Sequence, residues 1–447
     1  MKIDSKIIVA PVGNLKRTIG VFGLACAVVN LTVGTGIFIL PALVAEHLGA
    51  AAIICFFICG LLIFLIALCF AEVGSKITTS GGTYAYIESA FGPFAGFLAN
   101  NIFWLGSCVL SDAAVANALS KTLGYFFPLI DSAPMRPLFF LLLFGGMAIL
   151  NIRGSKNGLR LIIFTTFAKL IPLLLLIIFG IGHITAENLQ WKNSFTFSDI
   201  GAATLILFFA FLGIESAVTN SGEFKNPSRV VPLGILSGLI FVMLLYISIQ
   251  LITQGILGDQ LISFKDAPLA EVSGRVFGFV GITMITIGTA VSMFGGLSGE
   301  MLAIPRVLFA GAKNGILPPF LARVHTKYIT PHVAIIVYAS FGYLFSVFGA
   351  FKQLIILTSA STLIIYLGVV LATIRLRYKK IPDDGKSFKI PGGISIPLLA
   401  TAIIIWILSN LSKQEIISLA VALLIFSVIY VIMKRYSNKH TTVHSLK

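Results

Sequence analysis

The residues able to do chemistry are few, and they stand where charge is expensive. Lys169 lies within Phe167-Ala168-Lys169-Leu170-Ile171-Pro172, and Glu215 closes the run Phe208-Phe209-Ala210-Phe211-Leu212-Gly213-Ile214-Glu215. Asp112 and Glu300 interrupt two further apolar stretches. A charged group at the centre of a bilayer costs about 2.5–3.5 kcal/mol on insertion scales. Each of these side chains therefore needs a partner, a proton or a task. Two readings stand for Lys169: an amine that binds and releases a proton within a cycle, and a fixed ammonium that ties helices together. Glu300 faces a solute, carries a proton, or is a protonated carboxyl bonded to a neighbouring helix. Asp112 is either functional or merely structural.

The backbone offers a second kind of chemistry. Val33-Gly34-Thr35-Gly36-Ile37-Phe38, with Pro41 close behind, sets two glycines around one polar residue in an apolar run. Glycine weakens a helix, and irregular backbone at membrane depth survives only where it is buried in protein or lines a cavity. A break here bares the amides of a second half-helix, which with the helix dipole receive an anion such as a carboxylate. The alternative is a glycine contact between continuous helices. A break near Gly213 would bare carbonyls at the end of a first half-helix, suited to a cation such as an amino group.

The elements that must hold these groups follow from composition. The chain has 447 residues, 57% hydrophobic and 11% charged, with mean hydropathy +1.00. A soluble domain carries roughly 25% charged residues, so most of this surface must meet lipid or other helices. Long apolar runs, rather than alternating runs of about ten, select helices over a barrel. Twelve spans are expected, at 18–45, 50–73, 93–122, 136–153, 158–183, 199–220, 231–256, 273–303, 332–349, 353–374, 393–411 and 416–434. With the N-terminus in the cytoplasm, 24 of the 32 Lys and Arg fall on that side and 7 on the other, leaving Lys169 in the membrane. That bias predicts cytoplasmic N- and C-termini. It also accounts for the net charge of +15 without a nucleic-acid partner. Segments 1–17, 375–392 and 435–447 are expected to be cytoplasmic, with a ten-helix core over 18–374 and a last helix pair over 393–434.

The interrupted spans are the first and the sixth. That spacing fits two five-helix inverted repeats, 18–183 and 199–374, with a solute at their interface. Other classes find no support. The five cysteines lie in apolar runs and read as packing residues, the six histidines show no metal-ligand spacing, and neither end reads as a cleavable signal. There is no phosphate-binding G-x-x-x-x-G-K-[ST] loop and no nucleophile–base–acid set. No metal and no cofactor are expected.

Five stretches in order then carry a resemblance. They are Gly34-Thr35-Gly36-Ile37-Phe38; Gly81-Gly82-Thr83-Tyr84-Ala85-Tyr86 with Gly92-Pro93; Phe209 to Glu215; Asn226-Pro227-Ser228-Arg229 with Pro232; and Asn314-Gly315-Ile316-Leu317-Pro318 with Thr330-Pro331. Together they resemble the amino acid–polyamine–organocation superfamily of transporters, above all its bacterial basic amino acid/polyamine antiporter branch. The resemblance implies an all-α integral membrane fold of 12 helices, with broken helices 1 and 6, working by alternating access. It implies that the Thr35 and Gly36 amides meet a substrate carboxylate, and that the Thr32, Phe209 and Leu212 carbonyls meet its amino group. Phe209 matches a gating aromatic, and Glu215 matches a carboxylate linked to gating and proton sensing.

The departures limit what carries over. Cys108, Ser111 and Glu300 stand where the arginine/agmatine antiporter lines its pocket with Trp, Asn and Trp, so guanidinium specificity is not expected. A lysine at the position of Lys169 stands, in other members, for the sodium ion of sodium-coupled relatives; its partners are expected at the Asn30 carbonyl and near Ser292. The expected function is secondary amino acid transport, proton-coupled or exchanging and sodium-independent. Polyamine or amine exchange is the alternative, and a channel or membrane enzyme subunit the remote one. The expected partners are an amino acid or amine, protons and the lipid bilayer of a plasma (inner) membrane. The superfamily includes dimers, so a homodimer is a further expectation.

Overall fold

Where the chain leaves the helical state decides this architecture, because almost everything else is helix. The computed structural model describes residues 20–77, 82–153, 158–192, 194–217, 224–313, 315, 317–379 and 388–444. The expected N-terminal segment 1–17, residues 380–387 of the loop before the last helix pair, and Gly81, Asn314 and Ile316 of the quoted motifs lie outside the described residues.

The helices are α1 (Val21–Thr32), α2 (Gly36–Leu48), α3 (Ile53–Lys76), α4 (Gly82–Phe91), α5 (Pro93–Asn101), α6 (Leu110–Gly124), α7 (Arg136–Arg153), α8 (Gly158–Gly180) and α9 (Phe197–Phe208). They continue as α10 (Ile214–Ala217), α11 (Pro227–Leu257), α12 (Pro268–Phe277), α13 (Phe279–Lys313), α14 (His332–Phe348), α15 (Phe351–Tyr378), α16 (Ser395–Leu408) and α17 (Lys413–His444). Among the described residues there is no strand. Among the described residues nine helical segments are long and apolar enough to cross a membrane, and α1, α14 and α16 are shorter apolar helices. One of the nine, Gly36–Lys76, has 41 residues and turns at Leu48–Gly49, where Gly49 has φ 54°. At 1.5 Å per residue that length is about twice a hydrocarbon core.

Two elements differ from expectation. The span expected at 273–303 is divided: α12 ends at Gly278, φ 64°, and α13 runs on to Lys313. α12 is amphipathic rather than membrane-like, with Glu271 and Arg275 paired one turn apart at 3.2 Å. The span expected at 93–122 is continuous from Pro93 to Gly124 but passes through a π-helical stretch, Ile102–Val109, between α5 and α6. Wide turns of this kind recur at functional sites.

Small residues set the helix contacts, as expected where lipid is as apolar as the side chains. A Cβ on Gly234 would meet Leu24 at 2.8 Å, and one on Gly238 would meet the Ala25 carbonyl and Val28 at 2.9 Å, so α11 lies directly on α1. α13 approaches α8 the same way, Gly288 against the Ala168 carbonyl and Gly295 against Thr165. α17 is the least covered helix, with Ile417 60% and Leu424 65% exposed.

The two interruptions meet. α1 stops at Thr32 and α2 begins at Gly36; α9 stops at Phe208, tightens into a 3-10 turn over Phe209–Phe211, and leaves Leu212 and Gly213 non-helical. A Cβ on Gly36 would lie 2.6 Å from the Ala210 Cα, and one on Gly213 would lie 2.8 Å from the Leu31 carbonyl carbon. Gly213 also has φ +128°, which side chains rarely adopt. Gly213→Ala is expected to cost about 1–3 kcal/mol for the backbone conformation, before any clash with Leu31 is counted. Gly146→Ala, in the middle of α7 with nothing within 4 Å of an added Cβ, is the control and should not lower stability. Thermal unfolding of both variants in detergent checks this, and equal midpoints would contradict the packing described.

Candidate functional site

The site is built from the ends of four half-helices. Thr32 closes α1, and Gly34 N–H turns back to the Thr32 carbonyl at 2.7 Å. Thr35 precedes the first turn of α2, where amides have no intrahelical partner. Both threonines are buried, at 3% and 5% exposure, so these groups face protein or an enclosed path and not lipid. Opposite them, Phe209 is buried with its carbonyl accepting from Leu212 N–H at 3.4 Å, and Leu212 is half-buried in an extended conformation.

One side chain ties the two interruptions together. The Tyr246 hydroxyl, on α11 and fully buried, lies 2.8 Å from the Thr32 carbonyl and 2.9 Å from the Ala210 carbonyl. A single hydroxyl proton thus faces two acceptors, one from each break. Its ring stands edge-on to Phe211 at 5.1 Å. Beside this point a cavity of about 620 Å³ runs along α1 and α10, from Gly20 past Ala27 to Leu31 and Ser216. Its deep end reaches the residue against which Gly213 packs.

Lys169 anchors α1 from α8. Its Nζ donates to the Asn30 carbonyl, and Thr166 Oγ1 donates to Asn30 Oδ1 at 2.7 Å. Two residues one turn apart on α8 therefore grip one residue of α1, two positions before its end. Ser292 lies on α13 between the two glycine contacts with α8, at 288 and 295. No bond joins it to Lys169, however: its hydroxyl is buried and has no partner among the described residues.

The acids gather in two linked groups. Glu215 Oε2 accepts from Gly213 N–H at 3.0 Å and from the Tyr366 hydroxyl of α15, so it fastens the second break to a neighbouring helix. The Tyr338 hydroxyl of α14 donates to Asp112 Oδ2 at 2.9 Å, and Glu300 lies beside Tyr338 and Cys108. Glu300 Oε2 is buried with no hydrogen-bond partner among the described residues. Asp112 and Glu300 act on each other electrostatically, and Glu215 acts on Glu300. Among the described residues no basic side chain pairs with any of the three. Ser111 is half-buried on α6, and its hydroxyl bonds none of the other expected site residues.

The residues that sequence reasoning passed over are Tyr246, Tyr338, Tyr366 and Thr166. The three tyrosines are fully buried, and a buried tyrosine hydroxyl needs a polar partner. That need was the available signal. Among the described residues no group of three or more His, Cys, Asp or Glu could hold a metal ion.

Comparison with known proteins identifies the family. A family model described as amino acid permease matches residues 19–438. The chain is 28% identical to the serine/threonine exchanger SteT of Bacillus subtilis, over 92% of this chain and 95% of that one. It is also 28% identical to the branched-chain amino acid permease BcaP of the same organism, over 96% and 94%. It is 29% identical to the arginine/ornithine antiporter of Latilactobacillus sakei, over 83% and 81%. These relatives are transporters and not enzymes, and their names span hydroxylated, branched and cationic amino acids. A match that runs through both breaks, Lys169 and the buried acids shows that the chain belongs to the amino acid permease family, within the amino acid–polyamine–organocation superfamily.

Proposed function

We propose that the protein is a sodium-independent secondary transporter that carries an amino acid across the plasma (inner) membrane by alternating access. One observation carries the reading: two helix breaks pack on each other and share the Tyr246 hydroxyl, so amides at the start of α2 and carbonyls near the end of α9 stand at one place. An α-amino acid has one anionic and one cationic end, and these half-helix termini offer the matching partial charges. Thr35 and Gly36 take the carboxylate, and the Thr32, Phe209 and Leu212 carbonyls take the ammonium. Phe209 closes over the solute, Glu215 sets the second break, and Lys169 with Asn30 holds the end of α1 where a coupling cation would otherwise sit. Twelve crossings in two inverted five-helix repeats plus a last pair, with both termini cytoplasmic, complete the arrangement. Counting the 41-residue segment as two crossings, and the shorter helices α1 with α2, α14 and α16 as parts of crossings, supports that number.

A second reading, exchange of a polyamine or a cationic amino acid, is favoured by the buried acids. Asp112 and Glu300 share Tyr338 without a basic partner among the described residues. Buried carboxyl groups in that state hold a proton or receive a cation from elsewhere. A cationic solute side chain, or the protons of a symporter, would serve.

Uptake into liposomes by the purified protein, with the twenty amino acids and common polyamines as competitors and with or without a pH gradient, tests the function directly. Saturable uptake with competition by a defined group of amino acids is expected; uptake linear in concentration would mark a channel. Three variants refine the assignment. Lys169→Ala removes a charged hydrogen bond worth about 1.5–3 kcal/mol, and uptake should fall roughly tenfold or more. Full, proton-driven uptake in that variant would end the coupling role. Glu300→Gln should change the ratio of cationic to neutral amino acid uptake, and an unaltered ratio would take Glu300 out of the pocket. Tyr246→Phe removes a bond worth about 0.5–1.5 kcal/mol. The half-saturation concentration should then rise several-fold, with folding retained by gel filtration.

A further inference from the structure

Two adjacent residues of opposite charge, between α11 and α12, reach different helices. Lys265 Nζ lies 2.9 Å from Glu46 Oε1 in the last turn of α2, and Asp266 Oδ1 lies 2.5 Å from Lys121 Nζ in the last turn of α6. The second Glu46 oxygen lies 3.9 Å from Lys352, at the start of α15. One dipeptide thus joins the ends of α2 and α6 while α15 leans on the same carboxylate. These ends lie on the face opposite the cavity beside the start of α1, because α2 continues from α1 toward this side. The connecting segment is itself held to α11, with Arg275 bonded to Gln260 at 2.6 Å and to the Ile256 carbonyl at 3.4 Å, so the strap has a fixed mooring.

The chemistry of these pairs suits release. The side chains of Glu46, Lys265, Lys121 and Asp266 are 35–68% exposed. Water-exposed pairs are individually weak and are screened by salt. The opposite face shows the contrast. Glu72 has a side chain 2% exposed and takes a two-pronged bond from Arg377, at 2.8 and 2.5 Å, with Ile390 N–H added at 3.0 Å. That cluster is a buried, multiply bonded staple between α3, α15 and the segment before α16. The Lys265–Asp266 pairs lack such burial.

We propose that Lys265 and Asp266 form an electrostatic strap that holds α2 and α6 together on this face and must part for the path to open there. The proposal rests on the alternating-access reading. On that reading the solute path opens on this face between the helix ends that the strap joins, which lengthens the gap from the α2–α9 side to the α6 side.

The test uses the full chain in lipid nanodiscs, with exposed Cys26 replaced by Ser and spin labels at Leu129→Cys, after α6, and Ser198→Cys, at the start of α9. Glu46→Gln and Lys121→Glu should each raise the long-distance fraction roughly two- to fivefold, the range expected for exposed pairs. Lys121→Glu combined with Asp266→Lys should restore the wild-type distribution. Raising salt from about 0.1 M to about 1 M shortens the screening length from about 10 Å to about 3 Å and should act on the unmutated strap like Glu46→Gln. A distribution unmoved by both Glu46→Gln and salt would overturn the strap. A single distance in unmutated protein, the same with and without a mixture of the twenty amino acids, would remove the alternating-access reading and the strap with it.

Discussion

Everything in this molecule depends on two interrupted stretches of backbone that pack on each other and share one tyrosine hydroxyl. Hydrocarbon tolerates a broken helix only where protein covers it. Here the cover for each break is the other. Gly36 lets α2 lie against Ala210, Gly213 lets the second break lie against Leu31 and Thr32, and Tyr246 lends one hydroxyl to both. Any side chain at either glycine would separate the two, and unsatisfied peptide groups would follow.

That mutual cover explains the surrounding polar groups. Lys169 and Thr166 grip Asn30, two residues before α1 ends, and Glu215 grips Gly213 N–H and Tyr366. Besides Tyr246 of α11, which bonds both, each break therefore has a polar tether of its own to an outside helix, α8 for the first and α15 for the second. The tethers fix where the half-helices end, away from their far ends. The cavity along α1 and α10 lies beside those far ends. The acids on Tyr338 form a second centre, supplied by α6, α13 and α14.

Much of this was legible in the sequence because membranes impose simple rules. Apolar runs mark the helices, and paired glycines around Thr35 and at Gly213 mark the places where helix gives way. Lys169 could not be an ordinary core residue, and the Asn30 carbonyl is where its ammonium goes. The rest was hidden for physical reasons. A tyrosine in an apolar helix looks like packing, so nothing in the pattern marks Tyr246 or Tyr338 until a neighbour brings an acceptor. The bond from Tyr338 to Asp112 joins residues 226 apart, and that from Tyr246 to Thr32 joins residues 214 apart, distances no local periodicity reaches. The Ser292 hydroxyl is buried without a partner among the described residues, and nothing in the sequence pattern sets the direction of a flexible lysine side chain beside it. α12 merged with α13 in the reading because Gly278 separates them by one residue only.

The central claim is that the two breaks together hold both charged ends of one amino acid. Inhibition of uptake by a transported amino acid and by its two end-blocked forms, the N-acetyl derivative and the α-carboxamide, measures this most directly. Each blocked form should inhibit at least about tenfold more weakly than the parent, since each loses a charge-assisted bond worth about 1.5–3 kcal/mol. A blocked form that competes as well as the parent would show that one of the two breaks does not touch the solute.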